Sequence, residues 1–408
     1  MQPKPVKMNK FVTDYTLLDY IGHLPDEGCI KLDCSLGVNQ SPLANKVFAK
    51  LHEFRQESGG DPGNYRPIKD YPGDYSVKDT LVEWYKSKGV GAGWLTKEHF
   101  VLGNGSLNIL CNLNLLTLTC QKKAMGHAPQ FTPYIDNVYC TGAAYDAYYM
   151  QRANNYKFDT AAYLEQMSSD YDVFIVENPN NPTGQVIPLS GIRKIAEKAL
   201  SLSTILIVDE AFAEFMPFDT TAINLVPEFS NVIVTRSFSK GFGMAGMRLG
   251  YCVSQSLIIT QLLKIKQPVT CNGIARLLAK TALEAAMNGD SPDGLLYDPF
   301  GIDAVIDSKY QVLSAINDLN KAHGRNVKIA ETFKSTPIMT LYYDGAGTGF
   351  NFQKHLAFYG LSTVSCEYYL GLDRRAVRLM LPRPSNMPLL LQILTEAIQN
   401  LPVSQAVE

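Results

Sequence analysis

Two apolar segments, each followed by polar residues, decide the fold of this 408-residue chain. Residues 173–184 read Val-Phe-Ile-Val-Glu-Asn-Pro-Asn-Asn-Pro-Thr-Gly, and residues 205–212 read Ile-Leu-Ile-Val-Asp-Glu-Ala-Phe. Continuous apolar runs of this kind are typical of strands buried on both faces, as in parallel sheets packed between helices. Ligands of open α/β sheets bind beyond the carboxyl ends of the strands, so Asn181 and Asp209 are positioned for chemistry.

A third segment adds a lysine in a setting that suits covalent chemistry. Residues 237–240 read Ser-Phe-Ser-Lys, and Arg248 follows the lysine by eight residues. A lysine amine condenses with a carbonyl to form a Schiff base, and an arginine binds an anion. The pair therefore predicts a phosphorylated aldehyde as cofactor, namely pyridoxal 5'-phosphate (PLP). A solvated surface lysine is the alternative, and the ordered motifs upstream disfavour it.

Taken in this order, the three segments resemble the class I/II aminotransferases of PLP fold type I. The chain is similar to the histidinol-phosphate aminotransferase and threonine-phosphate decarboxylase group from about Leu32 to about Leu381. This resemblance implies an α/β fold. A large domain would hold a mainly parallel sheet between helices, and a smaller domain would be α+β.

The resemblance also implies a role for each matched residue in binding PLP. Lys240 would hold the cofactor and move the substrate's α-proton, Asp209 would pair with the pyridine nitrogen, and Asn181 would bond the phenolic oxygen. Phe131 would stack on the ring, with ordinary core packing as its alternative. The remaining cofactor contacts, at a helix start and around the lysine, would come from Asn104, Gly105, Ser106, Ser237, Ser239 and Arg248.

Substrate recognition is implied for three residues. Arg378 would bind the substrate's α-carboxylate, and a surface charge on an edge strand is its alternative. Gly37 and Asn39 lie in a segment that is similar to the active-site entry of the decarboxylase group. Tyr71, or alternatively Tyr65, resembles the tyrosine that reaches the cofactor of the neighbouring subunit, which predicts a homodimer with shared active sites.

Two departures from the family pattern bear on the reaction. Most family aminotransferases carry a tyrosine three residues after the aspartate, where this chain has Phe212. The phosphosubstrate relatives carry an arginine where this chain has Ser365. Because a charge partner for a phosphate is missing, we predict an unphosphorylated α-amino acid as the substrate, with transamination, which the resemblance implies, as the reaction. Decarboxylation, β/γ-elimination or cyclisation is the alternative within PLP chemistry, and PLP binding without turnover is the least favoured hypothesis.

Composition argues against several other classes of protein. The net charge is −2, and the sequence contains no basic stripe of the kind that nucleic acids require. No apolar stretch is long enough to span a bilayer. The eight cysteines are scattered without a Cys-x-x-Cys pair, which favours reduced thiols in the cytoplasm and argues against a structural metal site.

A Gly/Asp/Ser/Pro stretch at residues 289–294 predicts a domain boundary. Residues 1–45 are expected to form an N-terminal arm and part of the small domain. Residues 46–290 are expected to form the large PLP-binding domain, and residues 291–408 the small C-terminal domain.

Overall fold

The structure, a computed structural model, describes residues 29–37, 75–268, 270–288 and 301–402, together with six residues between 47 and 56. The strands in chain order are β1 (Leu32–Asp33), β2 (Phe100–Gly103), β3 (Lys123–Ala128), β4 (Ala144–Tyr149), β5 (Val173–Glu177), β6 (Ile205–Asp209), β7 (Val232–Ser237), β8 (Gly250–Ser254), β9 (Val327–Ile329), β10 (Ile338–Tyr343), β11 (Leu361–Ser362), β12 (Val364–Ser365) and β13 (Ala376–Met380). The α-helices are α1 (Tyr75–Ser87), α2 (Ser106–Thr117), α3 (Thr132–Cys140), α4 (Thr160–Gln166), α5 (Leu189–Ser201), α6 (Ser256–Ile265), α7 (Gly273–Asn288), α8 (Ile302–His323), α9 (Phe352–Phe358) and α10 (Met387–Gln399).

The central sheet has seven strands within these residues, in the order β2-β8-β7-β6-β5-β3-β4. β8 is antiparallel to both of its neighbours, and the other neighbouring pairs are parallel. Alternate residues of β5 pack on opposite faces: Val173 and Ile175 belong to one apolar core, and Phe174 and Val176 to another. Because both faces are covered, the first four positions of the strand are apolar, which explains the continuous run in the sequence.

A second, antiparallel sheet has the order β12-β13-β10-β9. The helices α8, α9 and α10 contribute Val312, Phe352 and Leu394 to the apolar core that also contains Leu341 of β10. The chain after β1 reaches this sheet, because the Met380 amide donates to the carbonyl oxygen of Cys34 at 2.9 Å. A mixed unit of helices and antiparallel strands therefore lies beside the mainly parallel sheet.

The predicted α/β class is confirmed, with a mostly parallel central sheet between helices. The expected break at residues 289–294 and both domain boundaries lie outside the described residues, so the division into domains stays a prediction. Among the helices that are described, none is both long enough and apolar enough to cross a bilayer.

Candidate active site

The carboxyl ends of the parallel strands bring the predicted reactive residues to one edge of the sheet. Asp209 is the last residue of β6, and Lys240 follows the end of β7 by three residues. The Lys240 amine lies 5.2 Å from the ring centroid of Phe212. A Cβ atom on Gly37 would lie 3.7 Å from that amine, so the backbone of Gly37 borders the same space.

The environment of Lys240 makes its amine less basic than that of an exposed lysine, so a larger fraction is neutral and nucleophilic near neutral pH. Burial, together with the positive charges of Arg378 and Arg248, lowers the pKa of Lys240 to about 8. The carboxylate of Asp209 opposes this shift. The neutral form of a lysine amine attacks carbonyl groups and takes up protons. A pKa lowered by burial and by neighbouring cations makes this form available near neutral pH.

Asp209 is a buried carboxylate that stays ionised at neutral pH. Burial raises its pKa to about 6, whereas hydrogen bonds from the Thr235 hydroxyl and the Ala211 amide oppose the rise. The Thr235 Oγ1 donates to Asp209 Oδ1 at 2.9 Å and orients the carboxyl group. A buried negative charge of this kind stabilises a protonated ring nitrogen placed against it.

Asn181 accepts hydrogen bonds from Arg378, on β13 of the second sheet, and from Tyr369. The Arg378 Nη1 donates to Asn181 Oδ1 at 3.0 Å, and the Tyr369 hydroxyl donates to the same oxygen at 3.2 Å. The Arg378 Nη2 donates to the carbonyl oxygen of Ser35 at 2.7 Å. Arg378 is buried, and β13 lies between β12 and β10, so the alternative of a surface charge on an edge strand is wrong.

The loop that carries Asn181 is tied to the second sheet by its backbone. The Thr340 hydroxyl donates to the Pro182 carbonyl oxygen at 3.0 Å, and the Thr336 hydroxyl donates to that of Gly184 at 2.7 Å. Gly184 has φ +76, and a Cβ atom there would lie 2.3 Å from the Ile338 carbonyl oxygen. Only glycine fits this close approach of two backbones.

The predicted phosphate cradle lies at the start of α2. Gly105 has φ +79 and directly precedes Ser106, the first residue of α2, whose first amides have no acceptor within the helix itself. A Cβ atom on Gly105 would lie 2.7 Å from the Arg248 guanidinium. Asn104 and Arg248 are exposed, and a Cβ atom on Gly250 would lie 2.5 Å from the Ser106 amide. The Arg248 guanidinium and the backbone of Gly250 therefore both lie against the segment that begins α2.

Two predicted serines flank the end of β7. Ser237 is the last residue of that strand, and its hydroxyl oxygen accepts a hydrogen bond from the Ser239 amide at 3.0 Å. Both serines are buried next to Lys240. The turn that presents the lysine is thus held by a local side-chain contact.

Glu177 is a site residue that the sequence reasoning missed. Its buried carboxylate accepts hydrogen bonds from the Phe131 amide at 2.7 Å and the Asn181 amide at 3.1 Å. Asn180 Nδ2 adds a third at 3.1 Å. Burial and the charge of Asp209 raise the pKa of Glu177 well above its usual range, and the three hydrogen bonds oppose this. A glutamate at the end of a wholly apolar strand was the signal that could have found it.

Tyr369 was also missed. It is fully buried and follows a short turn over residues 366–368, without any pattern in the sequence that marks it. Its hydroxyl accepts from Arg378 Nη1 at 3.1 Å while donating to Asn181. Only the fold, which brings together residues 188 positions apart, makes this contact visible.

The two departures from the family pattern are both buried. Phe212 packs in the core beside Lys240 and offers no hydroxyl. The Ser365 hydroxyl accepts from the Glu367 amide at 3.4 Å, so it caps a short turn. Ser365 lies opposite Val377 in the sheet, next in register to Arg378.

The other sequence predictions have mixed outcomes. Gly37 borders the lysine as described above, and Phe131 is partly buried with its amide on Glu177. Its stacking on the ring stays a prediction. Asn39 and Tyr71, with its alternative Tyr65, lie outside the described residues.

Solved structures with the same architecture define the class of fold. Aspartate aminotransferase from Thermus thermophilus aligns with a TM-score of 0.77 over 97% of this chain and 100% of that one, at 15% identity. A histidinol-phosphate aminotransferase from Clostridium acetobutylicum gives 0.72 over 91% and 100%, at 20% identity. The predicted PLP fold type I is confirmed.

Sequence comparison identifies the family. Residues 33–292 match the family "Aminotransferase class I and II". Histidinol-phosphate aminotransferase 2 from Methylococcus capsulatus is 33% identical over 65% of this chain and 68% of its own length. Histidinol-phosphate aminotransferase from Ruminiclostridium cellulolyticum is 27% identical over 71% of this chain and 74% of its own length. The chain belongs to the class I and II aminotransferases and is a PLP-dependent enzyme.

The described residues fit the cofactor of this class. A buried amine with a lowered pKa, a buried carboxylate and an amide at one sheet edge match the aldehyde, ring nitrogen and phenolic oxygen of PLP in chemical type. The Arg248 guanidinium, which lies against Gly105 at the start of α2, suits an anion in charge. These matches concern the kinds of groups that are present, and they agree with the family assignment.

Proposed function

We propose that this enzyme transaminates an unphosphorylated α-amino acid, with Lys240 as the amine that binds PLP. The observation that carries the proposal is the buried guanidinium of Arg378, which bonds Asn181 and depresses the pKa of the Lys240 amine by its charge. A guanidinium in this setting suits a carboxylate, because its two parallel N–H groups match two carboxylate oxygens.

When bound, PLP supplies an aldehyde for the amine and a protonated ring that takes up electrons from the substrate's α-carbon. Asp209 keeps the ring nitrogen protonated, and Asn181 donates to the phenolic oxygen. The Ser106 amide and Arg248 hold the phosphate, together with the serines at the end of β7. Phe131 covers one face of the ring.

Lys240 moves the proton in this proposal. Its pKa of about 8 leaves a fraction of the amine neutral at neutral pH, ready to take the proton from the substrate's α-carbon. Arg378 holds the substrate's carboxylate on the side of the second sheet. Gly37, whose missing side chain leaves space beside the amine, admits the substrate.

Ser365 supports the proposal that the substrate carries no phosphate. Its hydroxyl caps a turn within the sheet and carries no charge, so a phosphorylated side chain would lack that cation partner. The curated relatives are named histidinol-phosphate aminotransferases, and we propose that this chain differs from them in substrate.

A second candidate reaction is decarboxylation, elimination or cyclisation on the same cofactor. Phe212 favours it, because this ring replaces the tyrosine whose hydroxyl bonds the phenolic oxygen in most family aminotransferases. The homodimer with shared sites is likewise a proposal, and it is supported by the resemblance around Tyr71.

The test is a panel of amino acids, with histidinol phosphate included, mixed one at a time with the PLP-loaded enzyme. We expect one unphosphorylated amino acid to change the cofactor's absorbance and to yield the matching oxo acid by mass spectrometry. Release of carbon dioxide or ammonia without an amino acceptor would favour the second candidate. A preference for histidinol phosphate would overturn the substrate proposal.

A variant separates the proposed role of Lys240 from unspecific effects. Lys240→Ala is expected to lose the visible absorbance of bound PLP and about a hundredfold or more in turnover. Lys354→Ala, on exposed surface of α9, serves as the control and is expected to keep both. Unchanged turnover in Lys240→Ala would remove the lysine from the mechanism.

A further inference from the structure

Three polar groups form a closed triangle between the two sheets. Arg378 Nη1 donates to Asn181 Oδ1 at 3.0 Å and to the Tyr369 hydroxyl at 3.1 Å, and that hydroxyl lies 3.2 Å from Asn181 Oδ1. All three side chains are buried, so none of these contacts exchanges freely with water. The triangle fixes the position of each member relative to the others.

The chemistry of the groups determines the direction of each hydrogen bond. A guanidinium has donors and no acceptor, so the phenol oxygen accepts from Arg378 and must direct its own proton elsewhere. That proton is donated to Asn181 Oδ1, and the carbonyl end of the amide therefore faces Arg378 and Tyr369. The Nδ2 end points away from the triangle and donates to no acceptor among the described residues.

Tyr369 is itself held rigidly. Its amide donates to the Cys366 carbonyl oxygen at 3.0 Å, and its own carbonyl oxygen accepts from the Leu372 amide at the same distance. Its ring belongs to the apolar core that also contains Phe212. A phenol anchored at both backbone groups and packed on all sides orients its partners at little entropic cost.

Phe212 makes such an orienting group necessary. Since Phe212 has no hydroxyl to offer the cofactor's phenolic oxygen, Asn181 is the uncharged donor left for that oxygen in the proposed function. A rotated amide would present its carbonyl oxygen instead and would repel the phenolate. The correct rotamer of Asn181 therefore matters more in this chain than in one with a tyrosine at position 212.

We propose that Tyr369 is a positioning residue, which locks the Asn181 amide with its Nδ2 toward the cofactor's phenolic oxygen and couples it to the Arg378 carboxylate site. The inference rests on the proposed function, because it uses the roles given there to Asn181 and Arg378. Tyr369 acts through these two residues and need not touch the cofactor.

The experiment compares the PLP-loaded wild type with Tyr369→Phe by titrating the visible absorbance of the cofactor against pH. A donor on the phenolic oxygen stabilises its negative charge once the neighbouring imine proton has left. Loss of a well-oriented donor therefore raises the pH midpoint of the absorbance change, by roughly half a pH unit to one pH unit. The KM for the amino acid is expected to rise roughly threefold to tenfold, with a smaller change in kcat, because Arg378 loses a partner.

A double-mutant cycle tests whether Tyr369 acts through Asn181. If it does, Asn181→Ala raises the midpoint, and adding Tyr369→Phe raises it no further. Additive shifts would show that the phenol acts independently of the amide and would overturn the proposal. A 3-fluorotyrosine at position 369 keeps the packing and is a stronger donor, so it is expected to lower the midpoint; an unchanged or higher value counts against the coupling.

Tyr343→Phe is the matched control. Like the Tyr369 hydroxyl, the Tyr343 hydroxyl donates to a single acceptor, which is the Pro402 carbonyl oxygen at 2.6 Å. Tyr343 lies in a different apolar core, the one to which α8 and α10 contribute. The Tyr343→Phe variant is expected to have a lower melting temperature and an unchanged pH midpoint of the cofactor's absorbance. If wild type and Tyr369→Phe share midpoint and KM, the inference is wrong while the proposed function stands. If the wild type converts no amino acid, the proposed function fails, and the titration still reports on Tyr369.

Discussion

Glu177 and Asp209 lie opposite each other in register, as the last residues of the neighbouring parallel strands β5 and β6. Two buried carboxyl groups thus share one edge of the sheet, and each has its own set of donors. Asp209 is bonded by Thr235, whereas Glu177 is bonded by the Phe131 and Asn181 amides. One group is oriented toward the ring nitrogen in our proposal, and the other holds the segments around the ring.

Replacing Glu177 by Gln is expected to loosen both of those segments. The glutamine amide must turn its Nε2 toward at least one of the N–H donors that now bond a carboxylate oxygen, which leaves a buried donor unsatisfied. We expect a loss of about 1–3 kcal/mol in the free energy of unfolding and weaker PLP binding. Urea unfolding and PLP titration measure the two effects. Glu165→Gln, on exposed surface of α4, should change neither; equal behaviour of both variants would refute the role of Glu177.

Replacing Asp209 by Asn is expected to stabilise the protein without PLP and to impair the loaded enzyme. Burial raises the folded-state pKa of Asp209 from its ordinary value of 3.8 to about 6, so the folded state binds more protons between these pH values. Its effect on stability is absent below about pH 3.8, becomes increasingly destabilising as the pH rises from 3.8 to about 6, and is fully present above that.

The gain from Asp209→Asn should therefore approach about 3 kcal/mol at pH 8 and be about half as large at pH 5. Denaturant unfolding of PLP-free protein at these two pH values measures it. Turnover of the loaded variant is expected to fall at least about a hundredfold, because a neutral amide no longer keeps the ring nitrogen protonated. A gain that does not change with pH would contradict the shifted pKa.

Replacing Gly105 by Ala is expected to weaken PLP binding by roughly tenfold to a hundredfold. The new Cβ atom would lie 2.7 Å from the Arg248 guanidinium, and φ is +79 at this position. Gly93→Ala is a matched control, since Gly93 has φ +83 with no atom near its added Cβ. Both variants bear the cost of a left-handed backbone, of order 1–3 kcal/mol, and only Gly105→Ala displaces the cation. Equal affinity in an equilibrium titration of the two variants would argue against the cradle.

Replacing Phe212 by Tyr tests the meaning of the missing hydroxyl. Phe212 Cζ would lie 3.2 Å from a Cβ atom on Gly37, so the glycine leaves space in front of the ring edge. A hydroxyl there is expected to lower the pH midpoint of the cofactor's absorbance by roughly half a unit to one unit. It is also expected to raise the yield of oxo acid relative to any side product. An unchanged midpoint would mean that position 212 does not tune the cofactor.

The residues that sequence reasoning found share one property: they follow buried strands or lie in contiguous motifs. Asp209 and Lys240 were predictable because parallel strands place their carboxyl ends at one edge, whatever the details of packing. Arg378 carried an open alternative, since a single strand does not reveal whether it lies at the edge or in the middle of a sheet. Its central place depends on β10 and β12, which pair with it from distant parts of the chain.

The residues that were missed depend on contacts between distant segments. Tyr369 reaches Asn181 across 188 positions, and the Thr340 hydroxyl reaches Pro182 across 158. No local pattern encodes such pairs, because they arise from how the second sheet docks on the first. The antiparallel direction of β8 is a similar case: its apolar sequence is compatible with either direction.

The Asn181 loop is attached to Thr340 of β10 and to Thr336, just before that strand, and this has a mechanical consequence. In the proposed function, the amide that bonds the ring oxygen is thus attached to the same sheet as the guanidinium that binds the substrate's carboxylate, whereas Lys240 and Asp209 belong to the central sheet. A small rotation of one sheet against the other would therefore move the carboxylate site at Arg378 and the Asn181 amide together. Binding of a carboxylate at Arg378 would then change the position of the amide without any further residue between them.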